Sequence, residues 1–187
     1  MTRIGIGYDS HRLVPGDGVL LGGVKFPGSM SLTGHSDADA VAHAITDALL
    51  GATALGDIGA LYPDSDAANK DRDSIAMLAA VRYHLRDAGW TVVNVDVTVV
   101  CEEPKIAAQR DAMRHTLATA LGVLDDAVWV KGKTNERMGW IRSRRGDRRG
   151  CSSSRYSRIA PCGQADRNHR RTIAANALCT VGADDVH

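Results

Sequence analysis

Cysteine is scarce where a framework would need it. Only four of the 187 residues are cysteine, and only Cys101 lies among the first 150, so no set of disulfides supports the body of the chain. That favours a reducing compartment, most simply the cytoplasm. No apolar run approaches the roughly 20 residues needed to cross a bilayer. The opening Met1-Thr2-Arg3-Ile4-Gly5 runs straight into a strand-like pattern, without the apolar core of a signal peptide. Neither sign of charge dominates: a formal net charge of +1 gives no global pull toward nucleic acid or an acidic membrane. There is no internal repeat. What remains is an ordinary globular composition, 44% hydrophobic and 24% charged, long enough for one domain with a core or a domain plus a tail.

Two regions differ in composition. Residues 1–141 read as a compact α/β unit with short connections. From Arg142 the chain turns Arg-, Ser- and Cys-rich and hydrophobic periodicity is lost. In the first region, Arg3 to Tyr8 reads as a strand ending near Asp9, and Val19 to Val24, with Gly22-Gly23 inside it, as strand or hairpin. Asp37 or Asp39 can cap a helix whose apolar stripe holds Val41, Ala44, Ile45, Ala48 and Leu49 and which ends near Gly56. Ser74 to Ala88 carries Leu78, Val81 and Leu85 at helical spacing before Gly89. Val92 to Val100 is β-branched-rich with one polar face. Ile106 to Leu121 predicts a third helix closed by Gly122, and Val128 to Lys131 starts another strand. This alternation predicts a two-layer α/β sandwich.

Within that frame, Asp9 and His11 are two apart on a strand and therefore share a face. His43 lies in the first helix, with Asp39 and Asp47 one turn to either side. One carboxylate and two imidazoles suit zinc and leave its fourth position open. The same spacing also fits a capped strand end beside a half-buried helical histidine. His35-Ser36-Asp37 brings hydroxyl, imidazole and backbone donors to a helix N-terminus, which reads either as an anion site or as a plain capping segment. Asp57-Ile58-Gly59 and Tyr62-Pro63-Asp64 are loop punctuation taken alone. Lys105 can meet a phosphate or stay solvated. Thr134-Asn135-Glu136 offers a hydroxyl and a carboxylate suited to a hard cation.

Taken in order, Gly7-Tyr8-Asp9-Ser10-His11, His35-Ser36-Asp37, Asp47-Ala48-Leu49-Leu50-Gly51-Ala52, Leu55-Gly56-Asp57-Ile58-Gly59, Pro63-Asp64, Asn94-Val95-Asp96, Pro104-Lys105 and Lys133-Thr134-Asn135-Glu136 resemble the 2-C-methyl-D-erythritol 2,4-cyclodiphosphate synthase family. The resemblance runs from Met1 to about Ile141. It implies an α+β sandwich with a mixed sheet and helices on one face, assembled as a homotrimer with active sites between subunits. It implies a cyclisation in which a substrate's own 2-phosphate attacks the β-phosphorus of its cytidine diphosphate arm and releases CMP. Zn²⁺ would sit on Asp9, His11 and His43, and Mg²⁺ or Mn²⁺ on Glu136. His35 and Thr134 would stabilise the transition state. Ser10, Ser36, Asp57, Ile58, Gly59, Tyr62, Pro63, Asp64, Ser65 and Asp66 would line the erythritol and phosphate side. Cys101, Glu102, Glu103, Pro104, Lys105, Ile106 and Ala107 would cradle cytidine, with Lys133, Asn135 and Trp140 completing the substrate-side set. Two other functions stay open on the residues alone: a zinc hydrolase and a catalytically dead nucleotide-binding remnant.

After Ile141 the resemblance breaks. The family continues through Gly-Arg-Gly-Glu-Gly into an apolar closing strand, whereas this chain has Arg142-Ser143-Arg144-Arg145-Gly146-Asp147-Arg148-Arg149. Those residues can be encoded CGG TCG CGG CGA GGG GAT CGC CGC, and dropping the first base yields Gly-Arg-Gly-Glu-Gly-Ile-Ala. Residues 142–187 are therefore expected to be out-of-frame and mostly without structure, with a sheet strand missing. A basic nucleic-acid arm fits less well: four aspartates interrupt the charge and Tyr156 is the tail's sole aromatic. Cys151, Cys162, Cys179 and His169 lack metal-finger spacing.

Overall fold

The computed structural model describes residues 1–63, 65–136 and 171–183. In chain order the elements are β1 (Thr2–Pro15), β2 (Gly18–Leu21), β3 (Val24–Pro27), β4 (Met30–Thr33), α1 (Ala40–Thr53), α2 (Ile58–Leu61), α3 (Ser74–Asp87), β5 (Trp90–Val100), α4 (Arg110–Leu121), β6 (Val128–Lys133) and β7 (Arg171–Ala183). Five strands form one mixed sheet in the order β4-β1-β7-β5-β6. β7 runs antiparallel to both β1 and β5, while β5 and β6 are parallel. β1, β5 and β6 therefore all point the same way, and their C-terminal ends share one end of the sheet. β2 and β3 make a separate hairpin whose turn residues, Gly22 and Gly23, both have positive φ.

The helices cover one face. α1 lies on β1 and β7, α3 on β5, and α4 on β6. The core between the layers holds Leu49, Leu50, Leu78, Leu85, Leu117, Val97, Val130 and Ile173. The tightest contact in this layer comes from glycine. A Cβ on Gly5 would stand 1.9 Å from the Ala48 carbonyl oxygen, and one on Gly7 1.9 Å from that of Ala44. Side chains alternate along a strand, so Gly5, Gly7, Asp9 and His11 form one row facing α1. Two bare positions let the helix settle onto the strand, and the next two carry metal-type ligands.

Among the described residues no helix covers the opposite face. Ile4, Ile6 and Tyr8 of β1, Leu178 of β7 and Trp129 of β6 stand exposed, and Lys131 pairs with Asp96 there. In register, Ile6, Leu178, Asp96 and Trp129 make one row across four strands.

Three expectations change. β1 runs to Pro15, so Asp9 and His11 lie inside the strand and not at its end. The third predicted helix is a short 3₁₀ turn, Ile106–Ala108, followed by α4. Most importantly, the strand expected to be missing is present: residues 171–183 lie between β1 and β5 and pair with both. Ile173, Ala175, Ala177, Cys179 and Val181 alternate into the core, while Asn176, Leu178 and Thr180 face away. The period-2 signal was weak because three of its inward residues are small. The expectation of a structureless tail thus fails for residues 171–183, and for 142–170 and 184–187 it lies outside the described residues.

Candidate metal centre and active site

Asp9 Oδ2 lies 2.9 Å from His11 Nε2 and 2.9 Å from His43 Nδ1, and the two nitrogens are 3.2 Å apart. Among the described residues this is the group of His, Cys, Asp or Glu ligands close enough to hold one ion. A tetrahedral zinc with ligands at about 2.0–2.1 Å has ligand–ligand edges of about 3.3 Å. The triangle therefore fits one face of such a tetrahedron after an outward adjustment of a few tenths of an ångström. The imidazole rings meet edge to face, 5.3 Å apart at 72°. Gly34 lets the chain pass His11: a Cβ there would lie 3.0 Å from its ring carbon Cε1.

The electrostatics agree with a cation site. Burial opposes charge on Asp9, yet hydrogen bonds from His11 and His43 and their positive charge hold its carboxyl well below the usual range. Burial also opposes charge on His43, but the Asp9 hydrogen bond and the fields of Asp9, Asp39 and Asp37 raise it above the ordinary 6.5. A divalent ion would replace the shared proton in holding these three groups together.

Around His43 the network continues. Its Nε2 lies 2.8 Å from Ser74 Oγ and 3.0 Å from Ser36 Oγ. Asp39 is not a ligand. It is fully buried, caps α1 through Val41 N and Ala42 N, and accepts from Gly22 N and Gly23 N, pinning the β2–β3 turn to the helix start. The anion site expected at the N-terminus of α1 is therefore already filled by the chain's own carboxylate, and Ser36 remains as the hydroxyl facing the triad. Asp47 accepts from Ile58 N, and Asp57 caps α2 through Ala60 N, so Asp57, Ile58 and Gly59 are tied to the helix that carries His43. His35 is exposed, and its carbonyl accepts from Asp71 N. Pro63 accepts from Asn69 Nδ2, Asp66 caps the turn 67–69, and Tyr62 stacks on Arg72. Ser65 is an exposed turn residue. Ser10 falls on the opposite face of β1 from the triad, with its backbone N–H donating to Asp9 Oδ1.

The remaining predicted residues form a second group. Cys101 N donates to Lys133 O, Cys101 Sγ contacts Pro104 O, and Lys105 Nζ reaches Glu102 O, closing the loop after a cis Glu103–Pro104 bond. Ile106 packs against Gly132, with Ala107 in the same short turn. Thr134 Oγ1 donates to Glu136, with Asn135 between them. The Thr134–Glu136 group sits at the same end of the sheet as the triad, with two strands, β7 and β5, between them. Asp9 pairs with Ala175, Ala175 with Val99, and Val99 with Gly132, which puts about 14 Å of sheet between the groups. Asp64 and Trp140 lie outside the described residues.

Sequence reasoning missed Gly5, Gly34 and Ser74. A glycine on the ligand parity two residues before Gly7 was the available signal for the first. Asp73-Ser74 opening a helix marks a cap, but nothing local marks its link to His43.

The chain matches the YgbB family over residues 2–151. It is 57% identical over 141 residues to 2-C-methyl-D-erythritol 2,4-cyclodiphosphate synthase of Gemmatimonas aurantiaca, covering 75% of this chain and 85% of that protein. The Chromobacterium violaceum enzyme of the same name is 55% identical over 141 residues, covering 75% and 89%. Among solved structures, the bifunctional IspDF of Campylobacter jejuni superposes with a TM-score of 0.80 at 30% identity, over 99% of this chain and 43% of that longer one. A Plasmodium falciparum IspF complex with CDP superposes at 0.74 and 27% identity, over 98% and 97%. The converged Asp-His-His triad, the sheet end that gathers the 101–107 loop and Thr134–Glu136, and these likenesses agree on one conclusion: the chain belongs to the YgbB family of cyclodiphosphate synthases.

Proposed function

We propose that this chain converts 4-diphosphocytidyl-2-C-methyl-D-erythritol 2-phosphate into 2-C-methyl-D-erythritol 2,4-cyclodiphosphate and CMP. A 2-phosphate oxygen forms a bond to the β-phosphorus, and the bond from that phosphorus to the bridging oxygen of CMP breaks. The nucleophile is already anionic and tethered, so the work is alignment and charge neutralisation, not proton abstraction. The observation that carries the reading is the convergence of Asp9, His11 and His43 at the level of the sheet where β5 and β6 lead into the 101–107 loop and Thr134–Glu136.

Asp9, His11 and His43 would hold Zn²⁺ and Glu136 would hold Mg²⁺ or Mn²⁺, which when bound polarise phosphate oxygens. Ser36 donates its hydroxyl to a phosphate oxygen, and His35 and Thr134 stabilise the crowded transition state. The Asp57–Gly59 and Tyr62–Asp66 segments bound the erythritol. Residues 101–107 take the cytidine, consistent with a CDP-bound relative of the same fold.

The roughly 14 Å between triad and nucleotide group supports a site completed by a neighbouring subunit. The uncovered sheet face, with Ile4, Ile6, Tyr8 and Leu178 exposed, supports a homotrimer closing on that face. Light scattering should give three times the chain mass. Free, buried Cys101 and Cys179 support a reducing cytoplasm, and among the described residues no helix is long and apolar enough to cross a membrane.

The out-of-frame origin of the tail now applies to residues 142–170. The strand at residues 171–183, paired with β1 and β5, supports a second compensating change before codon 171 that restores the reading frame. The DNA across codons 138–171 decides this.

The assay is incubation with the cytidyl substrate, Zn²⁺ and Mg²⁺, followed by ³¹P NMR. CMP with the cyclic product is expected, and His43→Ala should lose it while keeping the fold. CMP with an open-chain product would indicate hydrolysis and overturn the proposal.

A further inference from the structure

His43 presents Nδ1 to Asp9 and His11 and Nε2 to two hydroxyls, and the proton inventory decides what each atom does. Ser74, the first residue of α3, is 1% exposed. Its hydroxyl donates to Asp37 Oδ1 and its backbone N–H donates to Asp37 Oδ2 at 2.9 Å. An ionised carboxylate only accepts, so the single Ser74 hydroxyl proton is committed to Asp37. Toward His43 Nε2, 2.8 Å away, Ser74 Oγ can then only accept. Nε2 must carry a hydrogen, and Nδ1, which donates to Asp9 in the metal-free protein, is then the ring nitrogen whose proton a cation displaces.

We infer that Asp37 and Ser74 are positioning residues that lock His43 in the Nε2–H tautomer and so hold Nδ1 ready for a divalent cation. This rests on the metal reading of the triad. It is a carboxylate–hydroxyl–imidazole relay, in which serine takes the place of a direct carboxylate–histidine contact. The backbone around it is zipped: Asp37 N donates to Arg72 O and Asp71 N to His35 O, which fixes the 35–37 segment against the start of α3. The relay also divides the two serines. Nε2 has one hydrogen and cannot accept, so Ser36, 3.0 Å away, cannot donate to it. The Ser36 hydroxyl proton is free for an anion at the site, while Ser74 is spent on structure.

The test combines zinc affinity, by competition with a chromophoric chelator, with ¹⁵N NMR of the His43 ring in the zinc-loaded protein, where the ion has replaced the proton shared with Asp9. Wild-type zinc binding comes first: if none is seen, the metal reading itself fails. Given binding, Ser74→Ala and Asp37→Asn should each weaken zinc by about 10- to 100-fold. The double variant should be no worse than the weaker single one, because both break the same relay. Wild-type His43, assigned by the signal lost in His43→Gln, should show the Nε2–H tautomer, and Ser74→Ala a mixture. Ser74→Thr, which keeps the hydroxyl, should recover most of the affinity. An Nδ1–H tautomer in the wild type overturns the inference even if a variant fails to fold. Zinc affinity within twofold of wild type in Ser74→Ala does so as well.

Discussion

Gly7 tests whether the glycine row sets the metal site. In Gly7→Ala the new Cβ would stand 1.9 Å from Ala44 O and 2.7 Å from Ala48 N, where ordinary contact begins at 3.4 Å. Both obstacles are backbone atoms, so no rotamer relieves them. α1 must retreat from β1 by about 1.5 Å or the strand must bend. Overpacking of this kind costs about 3 kcal/mol, the upper part of its usual range. In a chain of this size that lowers Tm by about 6–12 °C. The site should suffer more than the fold. His43 is adjacent to Ala44 on α1, whereas Asp9 and His11 stay on β1, and zinc–ligand distances tolerate only about 0.2 Å. Zinc affinity should fall on the order of 100-fold or more, beyond the loss of a supporting contact. Gly51→Ala is the internal comparison. It lies in α1 with no atom within 4 Å of its Cβ, so it should gain about 0.5–1 kcal/mol from helix propensity and leave zinc binding unchanged. Differential scanning calorimetry and chelator competition read both variants. A Gly7→Ala protein that melts within 2 °C of wild type and binds zinc equally would refute the reasoning.

The other predictions concern the site's charge, its anchor and its thiols. In the metal-free protein, the raised pKa of His43 contributes stability that is complete below its ordinary 6.5 and lost as pH climbs through the raised value. The lowered pKa of Asp9 contributes stability present above its ordinary 3.8 and lost as pH falls below it. Metal-free Tm should therefore peak between those values, and the stabilisation added by zinc should grow as pH rises past 6.5; a zinc effect that shrinks over that range contradicts the coupling. Asp39→Ala removes the acceptor of four backbone N–H groups and should cost about 3 kcal/mol in urea unfolding, since a cap and two further donors are lost together. Burial pushes the Cys101 thiol up to about 11 and that of Cys179 up to about 12, so iodoacetamide at pH 8 should label neither until the protein is denatured. Rapid native labelling of Cys179 on peptide mapping would remove β7 from the core.

What could be read in advance follows from the range of the forces involved. α1 and α3 were legible because their apolar stripes repeat every three or four residues and end at marked stops. Asp9 and His11 share a face by strand geometry alone. Placing His43 beside them needed a contact across 34 residues, and that contact depends on the absence of side chains at Gly5 and Gly7, a feature no hydrophobic pattern announces. The Ser74–Asp37 bond spans 37 residues for the same reason. β1 seemed to stop at Asp9 because polar Asp9, Ser10, His11 and Arg12 interrupt its pattern, yet β7 pairs with it through Leu13.

β7 sharpens the point, because the residue-level signal and the structural weight are opposite there. Its inward residues are mostly small, and it follows an Arg-rich stretch, so composition argued against a strand. Position in the sheet argues the other way. β1 carries Asp9 and His11 of the candidate metal site and β5 leads to the loop proposed to take cytidine, but the two do not pair with each other; each pairs with β7. Small residues suit that place, since Ala175 and Ala177 face α1 and allow it to cover both β1 and β7. Without this strand the 12 paired positions on β1 would lose their backbone partners, and the triad would have no fixed distance to Thr134 and Glu136. The chemistry encoded before residue 141 therefore depends on 13 residues encoded well after it.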